Sequence, residues 1–457
     1  MLLRQTPNRR CWCPRNGASA DADSQRLDAV QTNRGAGRSP RVSDRHPPES
    51  PLIFGGAGWG SRRTVLIAML RAPVPDELVW ARVTRPPIPL VYLDLNHYIE
   101  MAKASRAADG HVMDSGGPIK VLPGYTDLLA AARRAKANRR AVFPLSAVHF
   151  MEVAHSVPSP RQRAHVAHVM EELSDFAYLL GRPSIVEMEI MAGLDMVYGT
   201  PPNYASMPLL GDSALWAFGR SGGFRFLNEI TGEDTEAQLR EELGDDAFEN
   251  QLVEMRYFME RKLLEGPQDS EIAGLRARGY VPETFQVGTE SRLAFELETS
   301  AILEKHPSWR RGRLRDLIFA REVRHEGMIT FVRHLQQREE DGRPHELPEA
   351  AEMVTLWAAM PQVQVAATMK TRYHRNPGHR WKTNHIADID ALAVAYPYCD
   401  AVLTDAEARA ALSSAPELRG FGAHLPLNGA EMADWIDELP EVTNSDDHVL
   451  HPLRRSA

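Results

Sequence analysis

The stretch from Asn384 to Asp405, NHIADIDALAVAYPYCDAVLTD, constrains this chain more than any other. Ala391, Leu392, Val394 and Ala395 give it an apolar side at helical spacing, Asp388 and Asp390 stand where that helix is expected to begin, and Pro397 is the expected stop. Ala401 to Thr404 reads AVLT, a continuous apolar run expected of a strand covered on both faces. Asp405 then stands just past the carboxyl end of the strand, the edge at which open α/β sheets bind ligands.

Two earlier places repeat this grammar. Pro89 to Leu95, PLVYLDL, is an apolar strand with Asp94 and Asn96 at its exit and a helix-like run, HYIEMAKA, directly after it. Ala141 to Ser146, AVFPLS, is a second short strand, and the helix expected after it carries Glu152. A periodic run from Tyr125 to Asn138 is the crossover helix between them, so the spacing predicts βαβ connections and a parallel sheet. With the three strands side by side, Asp94, Glu152, Asp388 and Asp405 point into one crevice. Such carboxylates repel one another unless they hold a cation, and an all-oxygen donor set suits Mg²⁺ or Mn²⁺.

These residues resemble a known family. The Asp-x-Asn at the first strand exit, SAxxxxE from Ser146 to Glu152, and the acidic helix leading to Thr404 and Asp405 resemble the signature of PIN-domain nucleases. The YPYCDAVLTD ending is similar to a variant in PIN-like proteins of bacterial origin. The resemblance covers about residues 88–154 and 384–428. It implies a three-layer α/β/α fold with a central parallel sheet, here interrupted by a large, mostly helical insertion. It also implies a metal-dependent endonuclease, most often an endoribonuclease acting on single-stranded RNA, and a bacterial toxin or defence effector with a protein partner or antitoxin. On this sequence the metal ligands and catalytic residues would be Asp94, Glu152, Asp388 and Asp405. Asn96, Ser146, Asp390 and Thr404 are expected to orient them. The spacing to Thr404 matches the family at Asp388, whereas Asp390 falls two residues short; whether Asp388 serves alone or with Asp390 stays open.

Each acid also has a plain reading. Asp94 and Asp405 could cap the helices that follow them, and Asp388 or Asp390 could be first-turn charges, at roughly 0.5–2 kcal/mol each. Two other functions stay open: a PIN-like scaffold without turnover that acts through its insertion, and a phosphatase of the haloacid dehalogenase type. The latter needs a second Asp where Asn96 stands.

Lys370, Arg372, Arg375, Arg380 and Lys382, with Tyr373, His374, His379 and Trp381 among them, form a basic and aromatic run directly before the acidic helix. They are the expected contacts to a phosphodiester backbone. A net charge of −8 excludes coating of nucleic acid by bulk electrostatics, so any such contact is local. Three cysteines build no disulfide framework, which makes the reducing cytoplasm the expected compartment. No stretch reaches the roughly 18 apolar residues of a membrane span.

Residues 1–86 read as a disordered leader, or as sequence ahead of a later start near Met69, and Cys11 and Cys13 are an isolated CxC without partner ligands. Residues 87–155 and 384–436 are the expected halves of the PIN-like domain, 156–383 the helical insertion, and 437–457 a disordered tail. Within the insertion, one helix is expected to start at Ser159 and Pro160 and to carry Phe176 and Leu180. A second long one is expected through Leu239, Phe248 and Phe258, with others over Thr289–Lys305, Arg311–Arg338 and Pro348–Met360. The glycine-rich GRSGG at 219–223 lacks the Lys-Ser/Thr of a P-loop, and His149 and His155 form no HExxH zinc pair.

Overall fold

A computed structural model describes residues 83–440 apart from 114–115, 158, 221–225, 227–230 and 232. The leader before Val83 with Cys11 and Cys13, three residues of the glycine-rich loop, and the end of the chain after residue 440 lie outside the described residues. The strands are β1 (Val83–Thr84), β2 (Val91–Leu93), β3 (Tyr178–Leu179), β4 (Met207–Pro208), β5 (Leu210–Gly211) and β6 (Ala401–Leu403). The helices that open the described chain are α1 (Leu95–Ala108), α2 (Tyr125–Ala137), α3 (Ala147–Ser156), α4 (Pro160–Ser174), α5 (Arg182–Tyr198) and α6 (Ala214–Ala217). The middle holds α7 (Glu236–Leu243), α8 (Asp245–Glu265), α9 (Asp269–Ala277), α10 (Glu283–Lys305), α11 (Trp309–Gly312), α12 (Leu314–Glu322), a π-helical turn over Val323–Gly327, α13 (Met328–Glu340) and α14 (Ala350–Ala358). The chain closes with α15 (Pro361–Arg375), α16 (Thr383–Tyr398), α17 (Ala406–Ser413), a 3₁₀ turn over Pro416–Phe421, and α18 (Gly429–Asp437). Helix makes up 66% of the structure, so the class is mixed α/β with small, mostly parallel sheets and helix dominant.

The expected pairing of the first and last strands is present. β2 and β6 run parallel, with Leu93 opposite Leu403. The Ala141–Ser146 segment lies parallel beside β2, through Val91 N–H to the Val142 carbonyl at 2.9 Å, but it forms only isolated bridges rather than a strand. Leu145 in turn bridges to Tyr178 of β3. Pro144 removes one ladder donor in this short run. Residues alternate across β2. Leu90 and Tyr92 enter a core shared with α15, α16 and α17, while Val91 and Leu93 enter another with α1, α2, α4 and α18. Full burial of a side chain such as Leu93 contributes about 1.5–3 kcal/mol.

Several boundaries differ from expectation for identifiable reasons. α16 begins at Thr383, not at Asp388, and Pro397 lies within its last turn, where few helical bonds remain to be lost. Phe176 and Leu180 leave the helix expected over them because the chain turns at Asp175 and Phe176 with φ of 50° and 57°, then enters β3. The long amphipathic run of the middle segment is two helices parted at Gly244, whose φ of 79° suits glycine. The described chain is already in place at Val83, 2% exposed and paired with β4, ahead of residue 87.

Candidate functional site

Two carboxylates come from strand exits. Asp94 follows β2 at the N-cap of α1, is 6% exposed, and donates its backbone N–H to the Leu403 carbonyl at 3.0 Å. Its Oδ2 accepts from the Thr404 hydroxyl, which joins the ends of the paired strands. Asp405 follows β6 and caps α17, its Oδ1 accepting from the Glu407 and Ala408 amides at 2.7 and 2.9 Å. Asp405 therefore has its plain role as a cap and also faces the other acids. The positive ends of α1 and α17 point at the same place.

The other two carboxylates come from the sixth positions of two helices that begin alike. In α3, His149 at the third position accepts the Ser146 backbone N–H on Nδ1 at 2.8 Å and donates Nε2–H to the Leu93 carbonyl at 2.8 Å. This fully buried imidazole pins α3 to the exit of β2, and burial depresses its pKa to about 4. Glu152 follows one turn later. In α16, His385 at the third position accepts the Lys382 N–H at 3.1 Å, and Asp388 follows one turn later. The shared pattern, His then acid three residues on, is visible in the sequence as a signal for both acids.

The four carboxylates feel one another's charge, although among the described residues no three of them bring donor atoms within 4.8 Å of one another. Burial, then Asp94 and Asp405, push Glu152 up to about 8. Burial, then Asp94, Asp405 and Glu152, push Asp388 up to about 9. Burial raises Asp94 to about 6, against the Thr404 hydrogen bond that lowers it and with Asp405 that raises it. Among the described residues none of the four is ion-paired to a Lys or Arg. Tyr373, buried on α15, feels Asp388, Asp405, Glu407 and Asp94 in addition to its burial, all of which keep the phenol protonated. Tyr373 was expected only as one aromatic in a basic run.

The remaining candidates divide. Thr404 and Ser146 sit where expected, Ser146 as the N-cap of α3. Asn96 is exposed in the first turn of α1 and forms no hydrogen bond to the four carboxylates. Asp390 is a correction: it faces the other side of α16, where Arg182 and Arg292 grip it. Burial raises its pKa, but the two guanidiniums outweigh burial and leave it depressed. Lys370 is a second correction. It is 3% exposed and bound to Glu296 and Glu322, both at 2.7 Å, so it is not available to a substrate. Arg372, Arg375, Arg380 and Lys382 are exposed.

His379, His385 and Glu407 bring donor atoms within 4.8 Å of one another beside the carboxylates. Their protons argue against a cation there. Lys382 N–H occupies His385 Nδ1, so the ring proton sits on Nε2, the nitrogen 4.0 Å from Glu407. His379 Nε2 is buried with no acceptor for the proton that ligation through Nδ1 would place on it. A cavity of about 640 Å³ elsewhere, walled by Arg85, Lys136, Arg139 and Phe176, contains none of the four carboxylates. Volume therefore does not mark the site; charge does. No protein-family model, curated protein or solved structure matches this chain. No helix among the described residues is long and apolar enough to cross a membrane.

Proposed function

We propose that the chain is a divalent-metal-dependent nuclease, an endoribonuclease acting on single-stranded RNA, on a PIN-like three-layer α/β/α scaffold centred on β2 and β6. The observation that carries this reading is that Asp94 and Asp405 stand at the exits of the paired strands β2 and β6, feel the charge of Glu152 and Asp388, and, like those two, have no Lys or Arg ion pair among the described residues. Burial, and after it the neighbouring carboxylates, raise the protonation of Asp94, Glu152 and Asp388, and with Asp405 these oxygen donors suit a hard cation, Mg²⁺ or Mn²⁺. Bound there, such an ion supplies the Lewis acidity that phosphodiester hydrolysis requires.

The chain's own groups do the rest. The Thr404 hydroxyl fixes the Asp94 carboxylate, and the two amides of α17 hold Oδ1 of Asp405 so that Oδ2 stays free for the crevice. His149 sets the position of Glu152 by tying α3 to Leu93. Tyr373 keeps its proton and is a donor to an anionic oxygen at the crevice. Arg372, Arg380 and Lys382 offset the repulsion between the acids and a phosphate backbone. RNA before DNA, a protein partner or antitoxin, and a cytoplasmic location belong to the same reading.

The test is cleavage of a labelled single-stranded RNA and its DNA counterpart with Mn²⁺, Mg²⁺ or EDTA, comparing wild type with Asp94→Asn. Metal-dependent cleavage of RNA, reduced about 10³-fold in the variant, is expected. Cleavage that survives both EDTA and Asp94→Asn removes the carboxylates from the chemistry. No cleavage by folded, metal-supplied protein favours the scaffold reading.

A further inference from the structure

A second charged surface lies across the end of α15 from the carboxylates. Here the turn between α10 and α12 meets the residues that follow α15 in a groove of about 720 Å³, lined by Arg310, Arg311 and Arg375 with Glu304 as its one acid. Arg310 donates to the His374 carbonyl, which anchors α11 to α15. Arg311 and Arg375 are exposed and have no carboxylate partner among the described residues. That sets them apart from the guanidiniums of the interior: Arg292 and Arg182 each hold Asp390, and Arg315 holds Glu417. Beside them His306 stacks on Trp309, ring centroids 4.6 Å apart and planes 15° from parallel, and His306 is exposed. Unpaired guanidiniums next to an exposed stacked ring are the two elements that bind single strands without reading sequence: cations for the backbone and a flat surface for a base.

We propose that this groove holds a single-stranded nucleic acid, with Arg311 and Arg375 on its phosphates and His306 under a base, several nucleotides away from the carboxylates. The inference rests on the nuclease reading for its function but not for its chemistry, since binding is measured without cleavage. α15 carries Tyr373 toward the carboxylates and Arg375, two residues on, toward the groove. A strand crossing the end of this helix meets both. The segment around α11 would thus be part of the substrate path rather than an outlying surface.

The experiment uses full-length Asp94→Asn protein in EDTA, so that nothing is cut. Fluorescence anisotropy of a labelled 20-nucleotide RNA, its DNA counterpart and a 4-nucleotide RNA is followed against salt. Arg311→Ala with Arg375→Ala is expected to weaken binding of the long strands about tenfold and to reduce the salt slope by roughly 0.7 per cation removed, while binding of the short RNA stays unchanged. His306→Ala is expected to weaken the long strands about fivefold without changing the slope. RNA and DNA bound alike means that the groove reads only backbone and base faces; RNA bound more tightly adds a 2′-hydroxyl contact. Unchanged affinity and slope in the folded double variant overturn the groove. Binding that depends on these residues in a protein that cuts neither substrate leaves the groove standing and removes the nuclease reading.

Discussion

Asp388 and Asp390 stand two residues apart on one helix and meet opposite surroundings. Asp388 faces three other carboxylates and is pushed up to about 9, first by burial and then by Asp94, Asp405 and Glu152. Asp390, some 200° around the helix, faces Arg182 and Arg292 and is held below the ordinary carboxylate range. The second region continues inward. Arg292 reaches Glu326 at 2.8 Å, Arg182 reaches Glu322 at 2.7 Å, and Lys370 joins Glu322 to Glu296. Both regions are rich in acids. In one the chain supplies the cations; in the other the described residues supply none. The contrast separates charge that serves the fold from charge left for something outside the chain, and no single residue carries that distinction.

The sharpest way to break the comparison is to exchange the roles. Asp388→Asn is expected to lose RNA cleavage about 10³-fold with the fold retained. Asp390→Asn is expected to keep its activity per folded molecule within about tenfold while lowering urea resistance. If Asp390→Asn abolishes cleavage in a fully folded protein, the two regions are one site. The next largest effect is on stability alone. Lys370→Met leaves Glu296 and Glu322, 3% and 0% exposed at their side chains, without their shared cation. Breaking such a buried pair costs about 3–5 kcal/mol, read from urea unfolding. A loss below about 1 kcal/mol would mean that water reaches these groups.

What was legible in the sequence follows the same division. Asp94 and Asp405 could be found because each stands at the junction of an apolar run and a helix, a local pattern, and the parallel pairing of β2 with β6 follows from the same runs. Lys370 could not be sorted from Arg372 and Arg375, because what buries it is Glu296 and Glu322, whose distance along the chain exceeds any periodicity. Asp390 was doubtful from spacing alone, and only Arg182 and Arg292 decide its place. The Ala141–Ser146 run is as apolar as a strand, yet Pro144 and the short length leave it with bridges only. The helices of the middle segment were visible by their period. Their partners were not, since amphipathic spacing says that a face is buried and not against what.

The smallest expected effect tests the comparison with no substrate at all. In metal-free protein Asp94, Glu152 and Asp388 titrate near 6, 8 and 9, above their ordinary values. The folded state therefore binds more protons than the unfolded chain across that interval, and stability falls as pH rises from about 4 to 9. The paired region has the opposite sign. Glu296 is raised by burial but brought down to about 2 by Lys370 and His374, so the stability it contributes is present above its unfolded value and lost as pH falls toward 2. Calorimetry in EDTA should show melting temperature declining from pH 5 to 9 in wild type. In Asp388→Asn the decline should be shallower, and the variant should melt about 2–4 °C higher at pH 8, on the order of 1 kcal/mol. Mg²⁺ should raise the wild type most at the alkaline end, where the carboxylates are ionised and no proton competes, and should raise the variant less. Parallel pH profiles for the two proteins, with or without Mg²⁺, would show that Asp388 has its counter-charge already, and the difference from Asp390 would disappear.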